Sequence, residues 1–163
     1  MTPAISHALD CLAARHLHPA VLIVADLRQP PTAARLTVLD LHGRVPRVIL
    51  RGTVAEGAGG IGDRPGSRAS APGLYRVGAP YRGEHGVSWR LDGLSRSDWR
   101  AAARAIVLHA AGYVRPGWAG RSWGCPAVSA ATLAEMRPWL PPAGAADLWI
   151  DAPGATCGAR RPR

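Results

Sequence analysis

Apolar positions in this chain come in short runs separated by turn residues, with few long helical stripes. Ala20-Val21-Leu22-Ile23-Val24-Ala25 is unbroken, ends at Asp26 and is followed by Gln29-Pro30-Pro31, which reads as a buried strand. Leu36-Thr37-Val38-Leu39-Asp40-Leu41 alternates, turns at His42-Gly43 and returns as Arg47-Val48-Ile49-Leu50, a hairpin pattern. Leu74-Tyr75-Arg76-Val77, Val87-Ser88-Trp89-Arg90-Leu91, Ala105-Ile106-Val107-Leu108 and Ala146-Asp147-Leu148-Trp149-Ile150 read as further strands. Thr2-Pro3 starts a helix that carries Ile5, Leu9, Leu12 and Ala13 on one face to about Leu17. Ser97-Asp98 reads as the cap of a helix from Trp99 to about Arg104, and Ser129 as the start of another that Pro138 closes near Trp139.

Some seven strands and two or three short helices predict a mainly β domain of the α+β type, a mixed sheet or β-sandwich with peripheral helices. It should run as one unit over residues 1–153, with 154–163 as a frayed basic tail. At 163 residues the chain is long enough for one real core and too short to predict two. Gly and Pro, 19 and 15 residues, agree with strands joined by many turns.

All 20 basic residues are arginine, with no lysine and no asparagine, which points to compositional bias before function. The net charge of +9 would suit an acidic polymer, but the arginines are scattered and the one dense run is Arg160-Arg161-Pro162-Arg163. Without an aromatic-interleaved basic stripe or a DNA-binding motif, nucleic acid is not the expected partner. No apolar run approaches the roughly 18 residues of a membrane span, so no integral membrane segment is expected. No signal peptide is visible, since Asp10, Arg15 and three histidines break the N-terminal apolar pattern. Residues 57–73 read as a loop; its glycines lack the Gly-Lys-Ser/Thr ending of a phosphate cradle.

The chemistry concentrates between Ala105 and Val128. A strand ends at His109, and sixteen positions later a loop closes on Ser122-Trp123-Gly124-Cys125-Pro126. A cysteine is a nucleophile as thiolate, and an imidazole on a neighbouring strand end supplies the base that makes one. Gly124 permits close backbone approach, and the N–H groups of Trp123, Gly124 and Cys125 are candidates to hold an oxyanion; Pro126 has none to offer. The three cysteines, 11, 125 and 157, have no zinc spacing. In an oxidising compartment, Cys11 with Cys157 is the one pairing that spares Cys125, although both could equally stay unpaired.

These residues carry a family resemblance. Gly120-Arg121-Ser122-Trp123-Gly124-Cys125-Pro126-Ala127 resembles the Gly-Arg-Ser-x-Gly-Cys-Pro-Ala loop of the murein L,D-transpeptidases, a subfamily of the cell-wall L,D-transpeptidase (YkuD-like) superfamily. Upstream, Tyr81-Arg82-Gly83-Glu84-His85-Gly86-Val87-Ser88-Trp89-Arg90-Leu91-Asp92-Gly93-Leu94 is similar to that subfamily's Tyr-x-Gly-x-His-Gly-x-Ser-x-Arg-Leu-x-Gly-Leu block. Two positions depart: Trp123 stands where the wider superfamily usually has a second histidine, and Glu56 where Val-Ala-His-Gly would place one.

The resemblance implies a cysteine acyltransferase of the cell envelope or periplasm, with peptidoglycan stem peptides as partners and no metal or organic cofactor. Cys125 is then the nucleophile and His109 the base. Ser122 tightens the loop, and Trp123 walls the thiol from water. His85, Tyr81, Tyr113, Arg90 and Arg121 are candidates to line the substrate site, the arginines because a planar guanidinium suits a carboxylate. Asp92 and a backbone carbonyl compete to orient the imidazole. An amine acceptor would make the enzyme a 3,3 cross-linking transpeptidase, and water an L,D-carboxypeptidase. The rivals are an inactive wall-binding relative, a papain-like peptidase or amidase, whose nucleophile generally precedes its histidine, and a zinc site on His85, His109 and Cys125.

Overall fold

The computed structural model describes residues 1–140 and 145–159. Helix α1 (Pro3–Ala14) begins as its sequence dictates: the Thr2 hydroxyl accepts the Ile5 N–H at 3.4 Å, and proline occupies the first turn, where its missing N–H is not needed. Ten strands follow: β1 (Val21–Asp26), β2 (Leu36–Asp40), β3 (Arg47–Gly52), β4 (Glu56–Gly57), β5 (Gly73–Gly83), β6 (Gly86–Gly93), β7 (Val107–Ala110), β8 (Arg121–Ser122), β9 (Ala127–Val128) and β10 (Ala146–Asp151). A second helix, α2 (Ala130–Met136), capped by the Ser129 hydroxyl on the Thr132 N–H, runs into a 3-10 turn at Arg137–Trp139.

Eight strands form one mixed sheet in the order β3-β2-β1-β10-β5-β6-β7-β9, while β4 and β8 make a small parallel pair. Within the large sheet β1/β10 and β7/β9 are parallel and the other pairs antiparallel. One face buries Ile23, Val38, Leu50, Tyr75, Trp89, Leu91, Leu108 and Leu148 with Leu133 and Met136 of α2. Because α2 touches both β3 and β7, near opposite ends of the sheet, the sheet curls around it. On the other face, Ile5, Ala8, Cys11 and Leu12 of α1 pack on Leu22, Val24, Leu39, Leu74 and Trp149. The helix therefore covers β1 and its neighbours and leaves the far half, β6 to β9, for other use. The expected α+β architecture of mixed sheet and short helices is the one observed.

Two local expectations fail for physical reasons. Residues 99–105 form turns instead of a helix. The Asp98 carboxylate turns back to the Ser95 N–H (2.8 Å), Ser97 bonds Thr156, and the Arg100 N–H goes to Asp63 (2.8 Å), so no cap forms; Ala105 then enters the left-handed region at φ 54°. The tail is not frayed over 154–159. Cys11 and Cys157 form a disulfide, Ser95 bridges to Ala159, and the Arg96 N–H donates to the Gly158 carbonyl (3.0 Å). The run 160–163 lies outside the described residues.

Two predictions follow from these anchors. Replacing Cys11 with Ser opens a crosslink that spans 146 residues, and denaturant unfolding should show a loss of about 3–5 kcal/mol. Asp98 is buried, its Oδ2 has no hydrogen-bond partner among the described residues, and burial raises its acid to about 8. The folded chain thus keeps a proton that the unfolded chain releases near 3.8, so stability should fall as pH climbs from about 4 to 8 and level off above. Asp98→Asn, which retains an acceptor for Ser95, should flatten that slope in melts taken across the window.

Candidate active site

The loop between β7 and β9 is fastened along its length before it reaches Cys125. The Thr53 hydroxyl donates to the Arg115 carbonyl (2.9 Å), the Ala119 N–H to Pro31 (2.9 Å), and the Ala58 N–H to Ser122 (2.7 Å). Ala55, Val114 and Ala127 pack together beneath it. At its end the buried Ser122 hydroxyl donates to the Cys125 carbonyl (2.7 Å) and accepts the Gly124 N–H (3.1 Å), closing a tight turn. Gly124 has φ +117°, and a Cβ there would meet the Ala69 carbonyl at 2.7 Å, so glycine is required for both conformation and space.

This turn places Cys125 half-buried at the edge of β7. It is the free cysteine among the described residues and is of intermediate exposure. Its sulfur accepts the Val107 N–H at 3.5 Å and lies 3.9 Å from the Ala105 carbonyl. His109 is two residues further along the same strand and pairs with Ala127 in the β7/β9 register. Cys125 and His109 are thus tied to the same strand, the sulfur at the Val107 N–H and the imidazole two residues further on, while Leu108 between them points into the core. The thiol's partners here are backbone groups, and no hydrogen bond joins it to the imidazole.

His109 is buried, and its Nδ1–H donates to the Ala110 carbonyl at 2.9 Å, leaving Nε2 as the acceptor. The Ala110 backbone carbonyl therefore orients the ring. The exposed His85, from the β5/β6 turn, stacks on it with centroids 4.0 Å apart and planes 17° from parallel. Burial lowers the His109 pKa; the bond to Ala110 opposes this and His85 adds to it. Burial likewise raises the Cys125 thiol, which the Val107 N–H and the Arg104 charge pull part of the way back. Both shifts favour the uncharged forms, a neutral thiol with a neutral imidazole.

The sequence matches the family model described as "L,D-transpeptidase catalytic domain" over residues 3–141, most of the chain. The chain belongs to that family. Solved structures with the same fold include the helical cell shape determining protein Pgp2 of Campylobacter jejuni (11% identity, covering 81% of this chain and 47% of that one, TM-score 0.60). Others are an L,D-transpeptidase from Mycobacterium smegmatis (16%, 83% and 60%, TM-score 0.55) and LD transpeptidase LdtMt1 in complex with imipenem (15%, 83% and 60%, TM-score 0.53). The chain thus spans about half the length of Pgp2 and 60% of the other two. No curated protein gives a significant match.

Several residues expected in this L,D-transpeptidase-family site have other engagements. The Gly124 N–H is spent on Ser122, which leaves those of Trp123 and Cys125 as loop donors without a hydrogen-bond partner among the described residues. Trp123 does not cover the thiol: it is 72% exposed and stacks under Arg68. Arg121 lies 3.5 Å from Glu56, whose other oxygen is 3.9 Å from the buried Arg35. Glu56, at the position of the missing histidine, thus holds the β4/β8 pair beside the loop. Arg90 stacks over Tyr81 at 4.2 Å, opposite Val107 in the β6/β7 register, and the half-exposed Tyr113 packs on Gly120.

Arg104 and Arg68 were not singled out from sequence. Arg104, three residues before β7, donates to the Ala69 carbonyl (2.6 Å) and pairs with Asp63 (3.0 Å) while facing Gly124. Its place directly before the apolar run Ala105-Ile106-Val107-Leu108 that leads to His109 is the signal that could have found it. For the thiol, alkylation of Cys125 by iodoacetamide should titrate with a midpoint above the ordinary cysteine value of about 8.5. A midpoint near 7 would contradict the neutral resting pair.

Proposed function

We propose that this L,D-transpeptidase-family domain transfers acyl groups between peptidoglycan stem peptides through a Cys125 thioester. The observation that carries the reading is a partly exposed free thiol, its loop pinned by Ser122 and its sulfur on the Val107 N–H of the strand that, two residues later, carries a buried histidine whose Nδ1–H is bonded to a backbone carbonyl. Since the resting pair is neutral, His109 acts as a general base instead of sharing a standing ion pair. Its Nε2 takes the Cys125 proton as sulfur attacks the carbonyl carbon of an L-configured residue followed by D-alanine. The Trp123 and Cys125 N–H groups hold the oxyanion. Collapse breaks the C–N bond, and the proton passes from His109 to the leaving D-alanine amine.

An acceptor amine then attacks the thioester, the C–S bond breaks, and the proton it sheds returns through His109 to sulfur. A second stem's side-chain amine gives a 3,3 cross-link, and water gives the L,D-carboxypeptidase product. The chemistry asks for no metal or organic cofactor. The Cys11–Cys157 disulfide supports an oxidising compartment such as the cell envelope. The rival reading, an inactive wall-binding relative, draws on one observation: the thiol bonds to backbone and not to the imidazole.

Carbapenem labelling separates the two readings. Imipenem, the ligand in the LdtMt1 structure, should add its mass once to the protein. Cys125→Ala should abolish the adduct, and His109→Ala should slow it by about 10²–10⁴-fold, followed by intact mass against time. An unmodified native protein with a reactive thiol would leave only the wall-binding reading. With a disaccharide-tetrapeptide, both variants should also lose release of D-alanine.

A further inference from the structure

Trp123 stands two residues before the thiol with most of its ring in solvent, and the guanidinium carbon of Arg68 lies 4.2 Å from the ring centre. Arg68 is exposed and has no carboxylate partner among the described residues. Long arginines at a surface ordinarily sweep through many rotamers, but this one has a fixed base. Its backbone is left-handed at φ 56°, and the Gly59 N–H donates to its carbonyl at 3.0 Å. Gly57 and Gly59 lie so close beneath that a Cβ on either would fall 2.2 Å from the Arg68 carbonyl or 1.8 Å from that of Ser67. The next residues are bound to the thiol loop itself, Ala69 through Arg104 and Ser70 by a hydroxyl bond to the Gly124 carbonyl (3.4 Å).

Of the other cations, two are ion-paired and one stacks on a tyrosine of its own. Arg104 is buried against Asp63, Arg121 faces Glu56, and Arg90 stacks on Tyr81 across the site. Arg68 with Trp123 therefore offers, next to the nucleophile, an unneutralised planar cation backed by an exposed aromatic face. That pairing suits a ligand with an ionised carboxyl and an aliphatic stem.

We propose that Arg68 and Trp123 form a carboxylate-reading platform for the donor stem peptide. The guanidinium binds a free carboxyl on the peptide's third residue while the indole bears on its side chain. The substrate class rests on the function proposed above, but carboxylate recognition itself needs no catalysis and can be tested without it.

The test uses Cys125→Ala protein and two tetrapeptides, one with a free side-chain carboxyl on a diamino third residue and one with that carboxyl amidated, with affinities read by calorimetry. The acidic peptide should bind on the order of ten-fold more tightly. Arg68→Gln should erase that preference, and Trp123→Ala should weaken both peptides; thermal melts check that each variant is folded. Equal affinities, a preference that survives Arg68→Gln, a preference lost with Arg90→Gln alone, or no binding of either peptide would each overturn the platform. If imipenem fails to acylate the native protein while the Arg68-dependent preference persists, the acyl-transfer reading falls and the platform stands.

Discussion

The site depends on one hydroxyl. Ser122, out of solvent, bonds both the N–H of Gly124 and the carbonyl of Cys125, and so ties the two ends of the turn that carries the thiol. Without that tie, a left-handed glycine would be free to swing a half-buried cysteine away from β7. With it, the sulfur meets the Val107 N–H, and the strand that supplies this contact supplies His109 two residues later. The geometry of the pair is thus inherited from a parallel ladder, where spacing is set by backbone hydrogen bonding and not by side-chain packing.

Burial then decides how the pair behaves. Burial makes the imidazole hard to protonate and the thiol hard to ionise, so both groups favour their uncharged forms. Such a site resists stray oxidation and alkylation, since the thiolate is the reactive form. Under the acyl transfer proposed above, such a thiol needs a base at the moment of attack. Arg104, which faces Gly124 and pairs with Asp63, moderates this by drawing the thiol part of the way back down.

Much of the scaffold was legible because apolar runs and turn residues mark strands one by one. The β1 run, the β2/β3 hairpin and the capped ends of α1 and α2 follow from local chemistry. The failures share one cause: long-range partners outcompeted local ones. Asp98 and Arg100 have cap-like spacing, yet Asp63 from a distant loop captures the N–H that a cap would have held. The two-residue strands β4, β8 and β9 carry no period of their own and exist because the loop is stitched to residues 55–58. At the site, residue types disclosed the nucleophile and imidazole as candidates, and Ser122 as a loop brace. They did not disclose that Glu56 would occupy Arg121, or that the glycine-rich segment would set Arg68 over Trp123.

The join between Cys11 and Cys157 has a topological consequence. With β1 and β10 side by side, the first helix and the last described segment meet, and the sulfur link encloses nearly all of the polypeptide in a single covalent ring. One cut by a protease in any surface loop between them opens that ring without parting it. A nicked molecule would keep its mass, apart from one added water, and would come apart into fragments only once reductant is present.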